Sequence, residues 1–167
     1  MKKLIIFLLM ILPLGVFAQE AKVAIVNSNE IMAAMPELTA MQETMKQMND
    51  KYAGEMKTME DEYQKKYSDF IAQQDSMTEN IKVRRMQELQ DIEQRVQNFM
   101  QVARQDMDKK QQELLAPIQD KVRTAIKAVG DEKGYAYIFD NNPGIVLYTG
   151  NAAIDATPDV KAKLGLK

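Results

Sequence analysis

One amphipathic stripe dominates this sequence and restricts the folds that the chain can adopt. From Leu38 to Phe70 the apolar residues recur at a mean spacing of about 3.56 residues, between the values of a coiled coil and a straight α-helix. The segment is therefore predicted to be one continuous helix, roughly 50 Å long at about 1.5 Å per residue. The stripe consists of Leu38, Met41, Met45, Met48, Tyr52, Met56, Met59, Tyr63, Tyr67 and Phe70.

A second helix with a similar period follows a polar break at Gln73–Asn80 and runs from Ile81 to Val129. Pro117 lies inside this run and predicts a kink, because its ring clashes with the carbonyl one turn earlier. Two long helices joined by a short polar turn are expected to fold back as an antiparallel hairpin. The candidate start and end residues of the second helix are Ser76 or Thr78 and Gly130 or Gly134.

Charged residues at i,i+4 spacing are expected to stabilise the exposed faces of both helices. An acidic residue that precedes a basic one by four positions has the more favourable order. The predicted pairs are Asp61–Lys65, Glu62–Lys66, Asp91–Arg95 and Asp106–Lys110.

The two ends of the chain carry β-strand patterns. Lys22–Asn27 is short, apolar and β-branched, which predicts a strand buried on both faces. A short helix follows, capped by Ser28 or Asn29, and ends before Pro36. Near the other end we expect a strand at Tyr135–Asp140, a turn at 141–144, a strand at Ile145–Thr149, and a small helix capped by Thr157.

These elements predict an α+β fold, with a long antiparallel helical hairpin on a small β body. Three strands and two short helices form a very small core, and open sheet edges favour pairing with another chain. An oligomer is therefore expected. The predicted segments are 19–37 for the first part of the body, 38–116 for the arm, and 117–167 for the return helix and the rest of the body.

The first eighteen residues have the pattern of a secretory signal. Lys2 and Lys3 precede an uncharged apolar run, Leu4–Ala18, which is shorter than the roughly 20 residues of a membrane-spanning helix. Cleavage is predicted between Ala18 and Gln19, and the alternative is a retained N-terminal anchor. Without the two signal lysines, the 22 basic and 24 acidic residues become a net charge of −4.

Composition narrows the classes of function. The chain has no His, Cys or Trp, so it lacks the commonest general base and metal ligand and can form no disulfide. A weakly acidic chain does not favour nucleic-acid binding, which needs clustered basic residues. No convergent polar site is evident, so we expect a protein that is not an enzyme, with no cofactor and no metal.

The order of elements resembles the Skp/OmpH family of periplasmic chaperones. Three segments carry the resemblance, namely Lys22–Asn27, Gly134–Asp140 and Ile154–Leu164. The resemblance implies a periplasmic homotrimer in which strands from three subunits form one body. It also implies that the hairpins surround a cavity where unfolded outer-membrane proteins are held without ATP. At matching positions the shared β body would contain Val23, Ile25, Tyr137, Phe139, Ile145 and Leu147.

The arm supplies the candidate client-binding residues. Methionine is flexible and polarisable, so a Met-rich surface can fit many client shapes; the alternative is that these residues only seal the two helices together. The basic residues just past the turn are suited to attract anionic clients or, weakly, a membrane surface, and the alternative is a solvated helix face. The candidates are Met41, Met45, Met48, Tyr52, Met56, Met59, Tyr63, Phe70, Lys82, Arg84 and Arg85.

These observations lead to the hypothesis of an ATP-independent periplasmic holdase that prevents the aggregation of unfolded outer-membrane proteins. The alternative is a structural coiled-coil spacer or adaptor subunit of an envelope complex, with a stiff arm and a fixed partner. Irregular spacing at Tyr52–Met56 and Tyr63–Tyr67, and Met and Gln in place of Leu, disfavour a rigid rod.

Overall fold

The computed structural model describes residues 21–142 and 146–166. The predicted signal and its cleavage point lie outside this range. No helix in the described part of the chain combines the length and apolar character needed to cross a membrane. In chain order the elements are β1 (Val23–Val26), α1 (Ser28–Ala33), α2 (Pro36–Gln73), a 3₁₀ turn (Gln74–Ser76), α3 (Glu79–Lys133), β2 (Tyr137–Asp140), β3 (Ile154–Asp155) and α4 (Thr157–Lys163).

Helices α2 and α3 form the predicted hairpin. Their 38 and 55 residues correspond to lengths of about 57 and 83 Å. Pro36 occupies the first turn of α2, where a missing N–H leaves no hydrogen bond unmade. Helix α3 is assigned continuously across Pro117, so the last turns of the arm and the return helix of the body form a single element.

Helix α3 ends at Gly134, one of the two predicted end residues. Gly134 has φ +68°, and its N–H donates to the carbonyl of Gly130. A residue with a Cβ is strained in this left-handed conformation, and no other atom lies close enough to obstruct a side chain.

Substitution of Gly134 by Ala is therefore expected to destabilise the chain by about 1–2 kcal/mol through backbone strain alone. Gly54 is a matched control, because it lies inside α2 with equally open space. Gly54→Ala is expected to stabilise by up to about 1 kcal/mol, because Ala is the better helix former. Urea unfolding at a fixed chain concentration measures the free energy of unfolding of both variants. Changes of the same sign in the two variants would contradict the left-handed conformation assigned to Gly134.

The three strands form a parallel sheet in the order β2-β1-β3. Ala24 and Val26 of β1 are buried, whereas Val23 and Ile25 on the other face are only half-buried. The prediction of a strand buried on both faces is therefore wrong for the single chain, because helices cover one side of the sheet only.

The last strand is also misplaced in the prediction. Residues 146–149 form no strand, and Leu147 is 95% exposed; Ile145 lies outside the described residues. The second edge of β1 is taken by Ile154–Asp155 instead. Both edges of the central strand β1 are occupied by β2 and β3, and residues 146–149, although rich in β-formers, add to neither outer edge of this sheet.

The caps differ from the prediction by one residue. Asn27, rather than Ser28 or Asn29, caps α1, and its side-chain oxygen accepts from the N–H of Glu30. Ala156 occupies the cap position of α4, while Thr157 accepts a hydrogen bond from the N–H of Asn27 at 3.0 Å. Thr157 therefore joins the C-terminal helix to the end of β1.

The core of the body lies between the covered face of the sheet and the C-terminal part of α3. Ile31, Val26, Val129 and Val160 are its largest fully buried side chains. Residues of α3 after Pro117 that belong to this core are Ile118, Val122, Ala125 and Val129. The predicted α+β fold, a helical hairpin arm on a small sheet, is confirmed.

Candidate functional site

The seam between the two arm helices is only partly closed. Helix α2 has no buried residue along its whole length, and the arm portion of α3 buries only Leu89 and Ile92. The eight apolar and aromatic candidates of α2 contribute to the seam and also keep part of their surface exposed. All eight are half-buried: Met41, Met45, Met48, Tyr52, Met56, Met59, Tyr63 and Phe70.

Aromatic and polar contacts connect the helices at the middle of the arm. The rings of Tyr52 and Phe99 pack edge to face with centroids 5.8 Å apart. The hydroxyl of Tyr52 donates to Asp106 at 3.0 Å, and this bond to a carboxylate raises the pKa of Tyr52. The carboxylate of Glu93 likewise raises the pKa of Tyr63. These contacts fix the register of one helix against the other.

Ion pairs across the seam replace the predicted partners of Glu62, Lys66 and Arg95. Asp61 and Lys110 instead pair within their own helices, with Lys57 and Glu113. Arg95 donates to Glu62 at 2.9 Å, and Lys66 approaches Glu88 at 3.4 Å. Among the described residues, none of the four predicted i,i+4 pairs forms. A residue on the facing helix can compete with one four positions away when the two helices lie side by side. Opposite charges therefore contribute to the register as well as to solubility.

An open groove of about 850 Å³ crosses the middle of the arm. Its apolar lining comes from Tyr52, Met56, Phe99 and Met100, and charged residues such as Arg104 stand at its edge. A second groove of about 410 Å³ lies at the base of the arm, where Met41, Leu114 and Pro117 line it and a Lys121–Glu37 ion pair borders it. Both grooves are open to solvent and mainly apolar.

The predicted basic patch near the turn is partly neutralised by one glutamate. Arg85 donates to Glu88 at 2.8 Å, and Arg84 lies 3.5 Å from the same carboxylate. The hydrogen bond from Arg85 is the main cause that lowers the pKa of Glu88, and Lys66 lowers it further. Lys82 is half-buried. The three basic residues are close together, but their joint positive charge is reduced by this glutamate.

Replacing Arg85 with Gln is expected to raise the pKa of Glu88 towards its ordinary value of 4.5, because the main donor to the carboxylate is lost. The ion pairs of Glu88 lower its pKa in the folded state, so they stabilise the fold at pH values above the unfolded-state pKa of this group. That contribution to the free energy of unfolding is lost as the pH falls through the folded-state pKa. A carbon-detected NMR titration of labelled glutamate measures this pKa. Arg84→Gln is the control, because Arg84 makes the longer contact to Glu88. If this control raised the pKa of Glu88 as much as Arg85→Gln or more, Arg85 would not be the main donor to the carboxylate.

Exposed apolar residues off the main stripe were missed by the sequence reasoning. Val83, Met86, Met100 and Val102 are each about half exposed. The sequence does show them, because they are apolar residues at helix positions outside the main stripe, where an amphipathic helix normally carries polar residues. They extend the apolar surface of the arm beyond the seam.

The sheet presents an uncovered apolar face on the body. The parallel register aligns Val23 with Tyr137 and Ile25 with Phe139, so all four side chains point to one side. Tyr137 is 63% and Phe139 47% exposed, and their rings stack with centroids 5.9 Å apart. The structure brings these four candidates together; Leu147 lies in an exposed segment, and Ile145 is not described.

A polar cluster closes the ends of β1 and β2. Asp140 accepts from the backbone N–H and hydroxyl of Ser28 and from the amide of Asn142. Asn142 in turn accepts from Asn29 at 2.6 Å. In the described ranges no three acidic, His or Cys residues are grouped closely enough to hold a metal ion. The cluster serves to fix the strand ends and the start of the following loop.

Comparison with protein families gives a match to the family described as outer membrane protein (OmpH-like), over residues 22–164. Comparison with curated proteins gives no match. Among solved structures, the fold is similar to a crystal structure from Caulobacter crescentus described as a candidate outer membrane chaperone (OmpH-like). The TM-score is 0.73 at 17% identity, and the match covers 85% of this chain and 82% of that chain. At this identity the likeness concerns the fold.

Proposed function

The chain belongs to the OmpH-like outer membrane protein family, and from this premise we propose that it is an ATP-independent periplasmic holdase. It binds unfolded outer-membrane proteins in a cavity between helical arms and prevents their aggregation. The observation that carries the proposal is the incompletely closed arm seam, where no residue of the 38-residue helix α2 is buried.

The partly closed seam gives the holding mechanism. Each apolar contact with a client removes a small area from water and contributes only about 25 cal/mol per Å². Many such contacts along two long helices add up without requiring a defined client sequence. Methionine suits this role because its three rotatable bonds let the surface adapt to different side chains. Release follows when folding or insertion of the client offers more complete burial.

The uncovered face of the sheet supports assembly. Val23, Ile25, Tyr137 and Phe139 form an apolar surface that the single chain does not cover. Three copies that join these faces would place three arms around one cavity, with residues 19–37 and 117–167 in the body and 38–116 in the arms. The client is then enclosed while each arm contributes weak contacts.

Lys82, Arg84 and Arg85 have a secondary role in this proposal. They lie just past the turn, where a basic surface would attract anionic client segments or make a weak contact with a membrane surface. Because Glu88 offsets part of their charge, we assign most of the client-binding free energy to the apolar groove and stripe. Elevated salt should therefore weaken holding only slightly.

The test is the dilution of a urea-unfolded outer-membrane β-barrel protein into buffer with and without the chain from Gln19 onward. We expect light scattering to be suppressed near three chains per client, with no ATP added. A shortened arm should abolish this suppression. Replacing residues 48–109 with a short polar turn removes matched lengths of both helices, because Glu62 faces Arg95 across the seam, and it removes the whole central groove.

Two outcomes would contradict the proposal. Unchanged scattering with the full arm at all ratios would favour the spacer or adaptor instead. Full suppression by the shortened arm would show that holding does not need the arm. Circular dichroism and the oligomeric mass are the controls, since the body core of the shortened chain is unaltered.

A further inference from the structure

The sulfur chemistry of this chain is confined to methionine. The sequence contains no Cys, and eleven of its thirteen Met residues follow residue 18. A thioether is oxidised to a sulfoxide by peroxides, and its susceptibility follows its exposure. The exposure of each methionine in the fold therefore ranks it as a modification site.

Exposure separates the eleven methionines of the described ranges into three groups. Met86 is 45% and Met100 48% exposed, whereas Met35 in the body core is 2% exposed. The remaining ones are half-buried, chiefly in the seam of the arm: Met32, Met41, Met45, Met48, Met56, Met59, Met77 and Met107.

The two exposed methionines lie on apolar surface of the arm. Met100 lines the central groove beside Tyr52, Met56 and Phe99. Met86 follows the exposed Val83 by three residues on α3, so the two side chains share a helix face near the turn. We propose that Met86 and Met100 are peroxide-oxidation sites, and that their oxidation weakens the arm's hold on apolar client segments.

The step is an oxygen-atom transfer. The sulfur lone pair of the thioether attacks one oxygen of hydrogen peroxide, the O–O bond breaks, and the second oxygen leaves as water after proton transfer. The sulfur is oxidised by two electrons and the peroxide is reduced by two. The product carries a polar S–O group, an acceptor that the apolar lining of the groove does not satisfy. A methionine sulfoxide reductase would restore the thioether.

The first measurement maps the sites directly. The chain is treated with a limiting amount of hydrogen peroxide, digested and analysed by mass spectrometry over time. We expect Met86 and Met100 to be oxidised roughly tenfold faster than Met35, because a buried thioether is shielded from the oxidant. Equal rates for these three residues, or earlier oxidation of the seam methionines, would overturn the assignment.

The second measurement links oxidation to holding, and this part rests on the proposed function. After the same treatment, we expect the natural chain to bind an unfolded β-barrel roughly fivefold more weakly. Each variant is compared with its own untreated form. A chain with Met86→Leu and Met100→Leu should show no further loss of affinity on treatment, whereas a Met45→Leu and Met48→Leu control should lose affinity on treatment by the same factor as the natural chain. Equal loss in the Met86→Leu/Met100→Leu chain would overturn the link.

The two failures are distinguishable. If the untreated chain does not bind the client, the proposed holdase function is wrong, while the mapping still decides whether these methionines are the oxidation sites. If the untreated chain binds and oxidation of both residues leaves the affinity unchanged, the oxidation effect is wrong and the holdase function stands.

Discussion

Replacing Tyr137 and Phe139 together with Asp is expected to reduce the proposed assembly to single chains. Both rings lie on the face of the sheet that the single chain leaves uncovered, 63% and 47% exposed. In an oligomer joined through this face, two carboxylates would lose water without gaining a partner. That desolvation costs several kcal/mol per group, enough to abolish association at micromolar concentrations.

Size-exclusion chromatography with light scattering measures the mass. The matched control places the same substitution at Tyr67 and Ile71, which are 45% and 44% exposed on the arm and should leave the assembly intact. Because neither sheet residue is buried in the single chain, circular dichroism should show a retained fold. A natural chain that is already monomeric, or a double Asp chain that still assembles, would contradict the role of this face.

Replacing Ile31 with Ala is expected to lower the free energy of unfolding by about 3–4 kcal/mol. Ile31 is fully buried in the short helix α1 and belongs to the core that joins the sheet, the end of α3 and α4. Truncation of Ile31 leaves a cavity. The side chains around it belong to separate strands and helices, which cannot all shift to fill the space, so most of the cavity remains. The loss is a large fraction of the stability of a small domain.

Chemical unfolding measures this loss, at one fixed chain concentration because assembly would contribute to the apparent stability. Ile71→Ala is the control: that side chain is 44% exposed near the arm turn, so its truncation should cost about 0.5 kcal/mol or less. A similar loss at both positions would contradict the description of a body core with a partly open arm.

The helical hairpin was predictable because its signal is local and repeated. The spacing from Leu38 to Phe70 defines one helix face many times over, and Pro36 and Gly134 mark real ends of helices. The charged pairs were not predictable in the same way. Glu62 bonds to Arg95 rather than to Lys66. Which partner it takes depends on the register between the two helices, and the spacing of residues within one helix does not determine that register.

The third strand illustrates a similar limit. Residues 145–149 have strong β-propensity, whereas Ile154–Asp155 is too short to give a clear pattern. The structure pairs the shorter segment with β1, and the hydrogen bond from Asn27 to Thr157, just beyond this segment, links the same two parts of the chain. For the arm, the half-buried stripe was predicted, but the exposed Met86 and Met100 were not. A prediction based on one apolar face of each helix does not assign a function to apolar residues on the other faces.

The central position of β1 has a consequence for the order of folding. Asn27 and Ser28, just after β1, bond to partners 130 and 112 residues further along the chain. Closing such a long loop directly is slow, because its entropic cost precedes any contact. The arm shortens the effective loop, since its helices meet through neighbouring turns and can close progressively from the tip towards the base. When the last turns join, β1 and β2 are already near each other. Each turn added to α2 is matched by one on α3, so the length of the arm can change while β1 and β2 stay close together at its base.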